Sequence, residues 1–231
     1  MDLLSPQFWL AALQIVVINI LLSGDNAVVI ALACRKLPTR QKRWGLIWGA
    51  LGAIVLRVVL TVFAVGLLKL PWLKIAGGIA LVWIGIRLID QDDQDGVHVK
   101  ASDQLLAAVW TVIVADLVMS IDNVLGIAAA ARGSLVLLVF GLGLSIPLIL
   151  VGAQLVLKVI ERYPVLIVAG GGLLGWIAGE LCIDDTIIAA WVDTHAPWLD
   201  WAAPLIGVVL VIGIAKWRVA RRAAGQVRDR G

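Results

Sequence analysis

Seven long apolar stretches, separated by short polar ones, leave this chain of 231 residues few ways to fold. They lie near residues 8–34, 45–68, 72–89, 105–131, 135–159, 165–182 and 202–217. A helix needs about 20 apolar residues to cross the hydrocarbon core of a bilayer. Inside that core every backbone N–H and C=O must find a partner within the protein, so only helices and closed barrels serve. The stretches show none of the alternating ten-residue segments of a membrane barrel. The expected fold is therefore all-α: a polytopic membrane protein of seven transmembrane helices. Composition agrees, with 61% hydrophobic residues and a mean hydropathy of +1.00.

Charge orients these spans. The net charge of +3 is unevenly placed. Arg35, Lys36, Arg40, Lys42 and Arg43 form one cationic cluster, and Lys216, Arg218, Arg221, Arg222, Arg228 and Arg230 another. On a soluble domain such clusters would suggest nucleic acid. Beside apolar spans they read as cytoplasmic anchors that meet anionic lipids, and no nucleic-acid partner is expected. The N-terminus carries Asp2 and no basic region, so the first stretch is expected to remain as a span rather than be cleaved. Positive-inside counting with seven spans puts the N-terminus outside and the C-terminus in the cytoplasm of a cytoplasmic (inner) membrane protein. The 184–200 loop is then external and the 90–103 loop cytoplasmic. Cys34 and Cys182 fall at opposite faces, which argues against a disulfide.

The chain also repeats itself. Asn19-x-x-x-Ser23-Gly24-Asp25-Asn26 recurs as Asp116-x-x-x-Ser120-Ile121-Asp122-Asn123, 97 residues later. Pro71-x-Leu73-x-x-Ala76-Gly77-Gly78, with Trp83-Ile84 beyond it, recurs as Pro164-x-Leu166-x-x-Ala169-Gly170-Gly171 with Trp176-Ile177, 93 residues later. The chain thus reads as one transmembrane domain. Repeat one covers about 8–89, repeat two about 105–182, and a seventh helix at about 202–217 precedes the basic tail 218–231. Each repeat holds three spans, an odd number, so the two enter the membrane in opposite directions. Inverted repeats of this kind build secondary transporters, whose sites lie near the midplane and which work by rocking one repeat against the other. The Ala-Gly-Gly elements suit close helix packing in lipid.

The first repeated motif carries the chemistry. An ionised Asp at mid-membrane costs roughly 2.5–3.5 kcal/mol on insertion scales. Interhelical hydrogen bonds return only about 0.6–2 kcal/mol each, and Ser and Asn alone could supply them. Two copies of so costly a pattern point to function. On a regular helix Asn19, Ser23 and Asn26 fall within about 60° of one another, as do Asp116, Ser120 and Asn123. Asp25 and Asp122 lie roughly 120° from those stripes, unless Gly24 lets the first helix unwind and turn Asp25 inward. All these groups are oxygen or amide donors, which suit Mg²⁺, Ca²⁺ or Mn²⁺ better than Zn²⁺ or Cu⁺. His98 and His195 fall in loops. Arg57, midway along the second span, reads equally as a counter-ion that holds an Asp ionised or as half of a structural ion pair. Arg87 and Glu180 occupy matching places where their heads can reach the interface. Glu180, Asp184 and Asp185 could gather cations at an external mouth. The acidic Gln91–Gly96 segment lacks the first and twelfth ligands of an EF-hand loop when Gly96 takes the sixth place, so it reads as a solvated linker.

Ser23-Gly24-Asp25-Asn26-Ala27-Val28-Val29-Ile30-Ala31 and Asp116-x-x-x-Ser120-Ile121-Asp122-Asn123 resemble the TerC family of integral membrane proteins, within the LysE-like superfamily. The resemblance spans nearly the whole chain. It implies metal-ion transport, foremost manganese efflux, with an older association with tellurite resistance. Many members carry an acidic residue where this chain has Asn19. The expectation is an exporter of divalent cations, Mn²⁺ first, rather than an enzyme, and without a cofactor of its own. Asp25 and Asp122 would be core ligands, with Asn26, Asp116 and Asn123 completing an oxygen shell. Asn19, Ser23, Ser120 and Arg57 would support them. Proton antiport is the expected coupling, with Asp116 shuttling a proton. The alternative is an exporter of small cationic organic solutes such as basic amino acids. An intramembrane aspartyl protease fits poorly, because Leu22-Ser23-Gly24-Asp25 lacks the first glycine of Gly-x-Gly-Asp. The oligomeric state is not written in these features.

Overall fold

The computed structural model describes residues 6–21, 24–67, 70–90, 101–131 and 134–228. Among them are nine α-helices and no strand: α1 (Pro6–Leu21), α2 (Gly24–Cys34), α3 (Thr39–Leu67), α4 (Leu73–Asp90), α5 (Ala101–Ala131), α6 (Leu135–Arg162), α7 (Val165–Ile183), α8 (Ala189–His195) and α9 (Leu199–Arg228). The all-helical expectation holds. The 91–100 loop, with His98 and the acidic segment, lies outside the described residues.

The spans differ from expectation in two places. Five helices are long and apolar enough to cross a membrane: α3, α5, α6, α7 and α9. The first expected span is two helices, α1 and α2, whose axes differ by 56°, and counting them as one broken span gives six. The third expected span is α4, whose 18 residues include Lys74, Arg87 and Asp90. Three charges in so short a helix set it apart from the other five. Helix α9 also runs past the expected 217, so Arg218, Arg221 and Arg222 extend the last helix rather than begin a tail.

The helices gather into two compact units. The first comprises Met1–Leu70 with Lys100–Arg162, and so holds α1, α2, α3, α5 and α6. The second comprises Pro71–Val99 with Tyr163–Gly231, and holds α4, α7, α8 and α9. Each unit therefore draws helices from both sequence repeats.

In the first unit α3 lies along α5 through its glycines. A Cβ on Gly49 would sit 3.2 Å from a Val112 methyl, and one on Gly52 would sit 2.7 Å from Ile113. Helix α1 packs on α6, where Phe8 meets Phe140 with ring centroids 5.6 Å apart and Gly141 admits Ile15. Lys42, near the start of α3, pairs with Glu161 at the end of α6.

In the second unit α4, α7 and α9 pack through small residues, as lipid-embedded helices do when backbones must approach closely. A Cβ on Gly78 would lie 2.8 Å from the Ala178 carbonyl, and one on Gly85 would lie 3.2 Å from the Gly171 carbonyl. The Ala-Gly-Gly repeats thus serve packing. Asp185, just past α7, has no exposed surface. It accepts main-chain N–H bonds from Trp72 (3.2 Å), Lys74 (3.1 Å), Ile75 (3.3 Å) and Ile187 (3.1 Å). Its carboxylate holds the start of α4, with Trp72 at a φ of 67°, so it is not the cation-gathering group of an external mouth. Burial opposes its charge, but the Ile187, Trp72, Ile75 and Lys74 N–H groups outweigh that and hold the carboxyl below its usual value. Arg222 of α9 reaches Asp90 at the end of α4, at 2.8 Å.

Matching positions of the repeats carry different partners. Arg87 stands over the Trp83 ring, 5.3 Å from its centroid, whereas Glu180 accepts the Trp176 indole N–H at 2.8 Å. Cys34 and Cys182 are both free thiols.

Candidate functional site

The polar heart of the first unit is organised by Arg57. Midway along α3 and 2% exposed, it is among the largest fully buried side chains. A lone cation there would be costly, so its partners decide what it does. Its Nη2 donates to Asp116 Oδ1 at 2.5 Å, and its Nε donates to Ser120 Oγ at 3.0 Å. Its Nη1 donates to Asn19 Oδ1. Ser120 in turn donates to Asp116 Oδ2 at 3.1 Å. Thr61, one turn along α3, returns its hydroxyl to the Arg57 carbonyl at 2.7 Å.

Three helices thus meet on one guanidinium. Asn19 comes from α1, and Asp116 and Ser120 come from α5. Asn19 and Asp116 are the matching positions of the two motif copies. Arg57 has no cationic counterpart in α6, the corresponding helix of the second repeat, before Lys158 near its end. The single cation serves both motifs.

The first motif is shared between two helices, α1 and α2, and the second is not. Helix α2 starts at Gly24, with Asp25 in its first turn. A carboxylate there is favoured by the free N–H groups and the dipole of a helix start. Asp25 Oδ1 accepts the Asn26 N–H at 2.8 Å. The second motif runs through the unbroken α5. The 56° change of axis between α1 and α2 thus has no counterpart in the second motif.

Asn26 is the anomaly. Its side chain is 4% exposed, yet neither its Nδ2 nor its Oδ1 has a hydrogen-bond partner among the described residues. An unmade buried amide bond costs about 1–3 kcal/mol. Asn26 shares a small cleft with Asp116, walled by Val29, Ile30 and Val112.

Of the other residues singled out by sequence, Asn123 lies half-buried one turn past Met119 and donates to the Met119 carbonyl at 3.1 Å. Ser23 lies outside the described residues, as does the side chain of Asp122, whose backbone continues α5. Among the described residues no three His, Cys, Asp or Glu side chains form a metal-sized cluster. Sequence reasoning missed Thr61, whose bond to its own helix carries no sequence signal beyond a hydroxyl four residues after Arg57.

A model of the integral membrane protein TerC family matches residues 4–223. The chain is 40% identical over 205 residues to the membrane protein YjbE of Bacillus subtilis, covering 89% of this chain and 93% of that one. It is 30% identical over 185 residues to YceF, another membrane protein of the same organism, covering 76% and 72%. The UPF0053 inner membrane protein YgdQ of Escherichia coli K12 is 23% identical over 177 residues, covering 69% and 74%. No solved structure matches the chain.

Proposed function

The chain belongs to the TerC family of integral membrane proteins, and from that premise we propose that it is a secondary transporter that exports divalent cations, Mn²⁺ foremost, across the inner membrane. The observation that carries this reading is the cleft lined by Asp116 and by Asn26, whose buried carboxamide has no hydrogen-bond partner among the described residues. A carboxylate and an amide oxygen are hard donors of the kind that Mn²⁺ accepts. Asp25, at the start of the broken helix, and Asp122 and Asn123 on α5 are the further ligands of the proposal. Broken helices with polar ends at membrane depth are a recurring device of secondary transporters.

The proposed architecture keeps seven spans in two inverted repeats, with α1 and α2 as one broken span and α4 as a short, more polar one. Two ion pairs accord with it: Lys42–Glu161 and Arg222–Asp90 each join helix ends that this topology puts on the cytoplasmic side. The cleft is small beside an amino acid, which favours an ion over a cationic organic solute. No catalytic role is proposed.

The test is flux. The purified protein in proteoliposomes is presented with a panel of divalent cations and, in parallel, with basic amino acids. Mn²⁺ should move, and Asp25→Asn and Asp122→Asn should each abolish that movement while leaving an inserted, folded protein. Normal flux in either variant would remove that residue from the site, and no flux of any divalent cation would remove the reading.

A further inference from the structure

We propose that Arg57 is a tethered stand-in for the transported cation, pairing with Asp116 when the ion is absent and yielding that carboxylate when the ion enters the cleft. The inference rests on the cation-transport reading of the same site. It also rests on how the groups around Asp116 are arranged.

Asp116 has two faces of contact. The guanidinium of Arg57 approaches it from α3, with Ser120 bonded to both. The cleft beside α2 is lined by Asp116 and by Asn26, whose carboxamide has no hydrogen-bond partner among the described residues. An ion entering the cleft would find Asn26 unengaged but Asp116 already paired. Two cations then compete for one carboxylate.

Arg57 keeps neutral hydrogen-bond partners while it loses that competition. Two of the acceptors of its donors, Asn19 Oδ1 and Ser120 Oγ, are neutral. They can keep its donors satisfied while Asp116 turns to the ion. Burying an unpaired charge is costly, and a carboxylate left alone after the ion departs would meet that cost. The returning guanidinium removes it. The affinity of the site is thereby held down, which release requires. A purely structural ion pair has no need of a cleft lined by the same carboxylate residue and by a buried amide without a hydrogen-bond partner among the described residues.

The experiment measures Mn²⁺ binding to the purified full-length protein by calorimetry, with Mn²⁺ flux in proteoliposomes alongside. Arg57→Gln removes the competing charge and should bind Mn²⁺ at least about tenfold tighter, as expected for taking a unit charge from within a few ångströms of a dication. Its maximal flux should fall, because release slows. Arg57→Lys keeps the charge but loses the planar fork, so its affinity should lie between the two. A structural role predicts the reverse, with affinity and flux falling together. Arg57→Gln that is folded by circular dichroism and binds Mn²⁺ no tighter than the wild type overturns the inference while leaving the transport reading intact. If Arg57→Gln fails to accumulate, Arg57→Lys decides: tighter binding than the wild type supports the stand-in, and equal or weaker binding overturns it. Wild-type protein that binds no Mn²⁺ would overturn the transport reading, and the inference with it.

Discussion

Two buried residues of the site, Asp116 and Asn26, should respond to mutation in opposite ways. Removing the carboxylate leaves Arg57 buried without its ionic partner, a loss of about 3–5 kcal/mol for a pair of this kind. Asp116→Ala should therefore lower the unfolding midpoint in detergent sharply. Arg57→Gln combined with Asp116→Asn should restore most of it, since neither charge is then stranded. Asn26→Ala should do the contrary. It deletes an amide that has no partner among the described residues, so stability should stay within about 1 kcal/mol of the wild type. Mn²⁺ affinity should fall about tenfold, the equivalent of roughly 1.4 kcal/mol of lost coordination. Stability lost in Asn26→Ala with affinity unchanged would place that side chain in the packing and not in the site. At this scale the sequence was legible where the helix is regular. Asp116 and Ser120 do share a face of α5 and do bond to each other. The matching stripe of Asn19, Ser23 and Asn26 assumed one continuous helix, and the bend between α1 and α2 breaks that assumption. Periodicity could not reveal the role of Arg57, because nothing in a sequence says which carboxylate a mid-span arginine will face.

Among the elements, α4 shows how a short and rather polar helix is held. Its first turn owes its N–H partners to Asp185, more than a hundred residues away in sequence. No local pattern announces such a cap. The acidic loop read as a cation-gathering mouth because its charges were legible and their long-range partners were not. Asp185→Ala should orphan these N–H groups and cost about 1–3 kcal/mol. The pH dependence follows from the lowered carboxyl. A group held below its ordinary value contributes stability above that value and loses it as pH falls through the folded one. The advantage of the wild type over Asp185→Asn in thermal melts should thus be full near neutrality and shrink below about pH 3.8, the ordinary value for this carboxyl. An advantage that does not change with pH would mean that the charge on Asp185 is idle. The Ala-Gly-Gly repeats were legible for the opposite reason: a close helix crossing needs small residues at fixed places on both partners, and those places recur in the sequence.

At the scale of the whole molecule the issue is energy. Moving a dication outward against an inside-negative potential costs about 2.3 kcal/mol per charge per 100 mV, or roughly 4.6 kcal/mol in all. The chain has no Gly-x-x-x-x-Gly-Lys-(Ser/Thr) motif with which to draw on a nucleotide. Exchange of one dication for two protons removes the electrical cost, and it requires carboxylates that can carry protons back. Asp116 was the expected shuttle on sequence grounds. Under the stand-in proposal, Arg57 would compensate that carboxylate when the ion has gone. The carriers of the proposal become Asp25 and Asp122. Arg57 travels nowhere, so the exchange across the membrane still balances at two protons per dication. Proteoliposomes holding a pH-sensitive dye, with Mn²⁺ flux followed in parallel at clamped potential, should show about two protons moving against each ion. Asp116→Asn should retain that ratio at altered Mn²⁺ affinity. A ratio near one in Asp116→Asn would return the shuttle to Asp116. Mn²⁺ movement in the wild type with no proton counter-flow would replace antiport with a facilitated or differently coupled path.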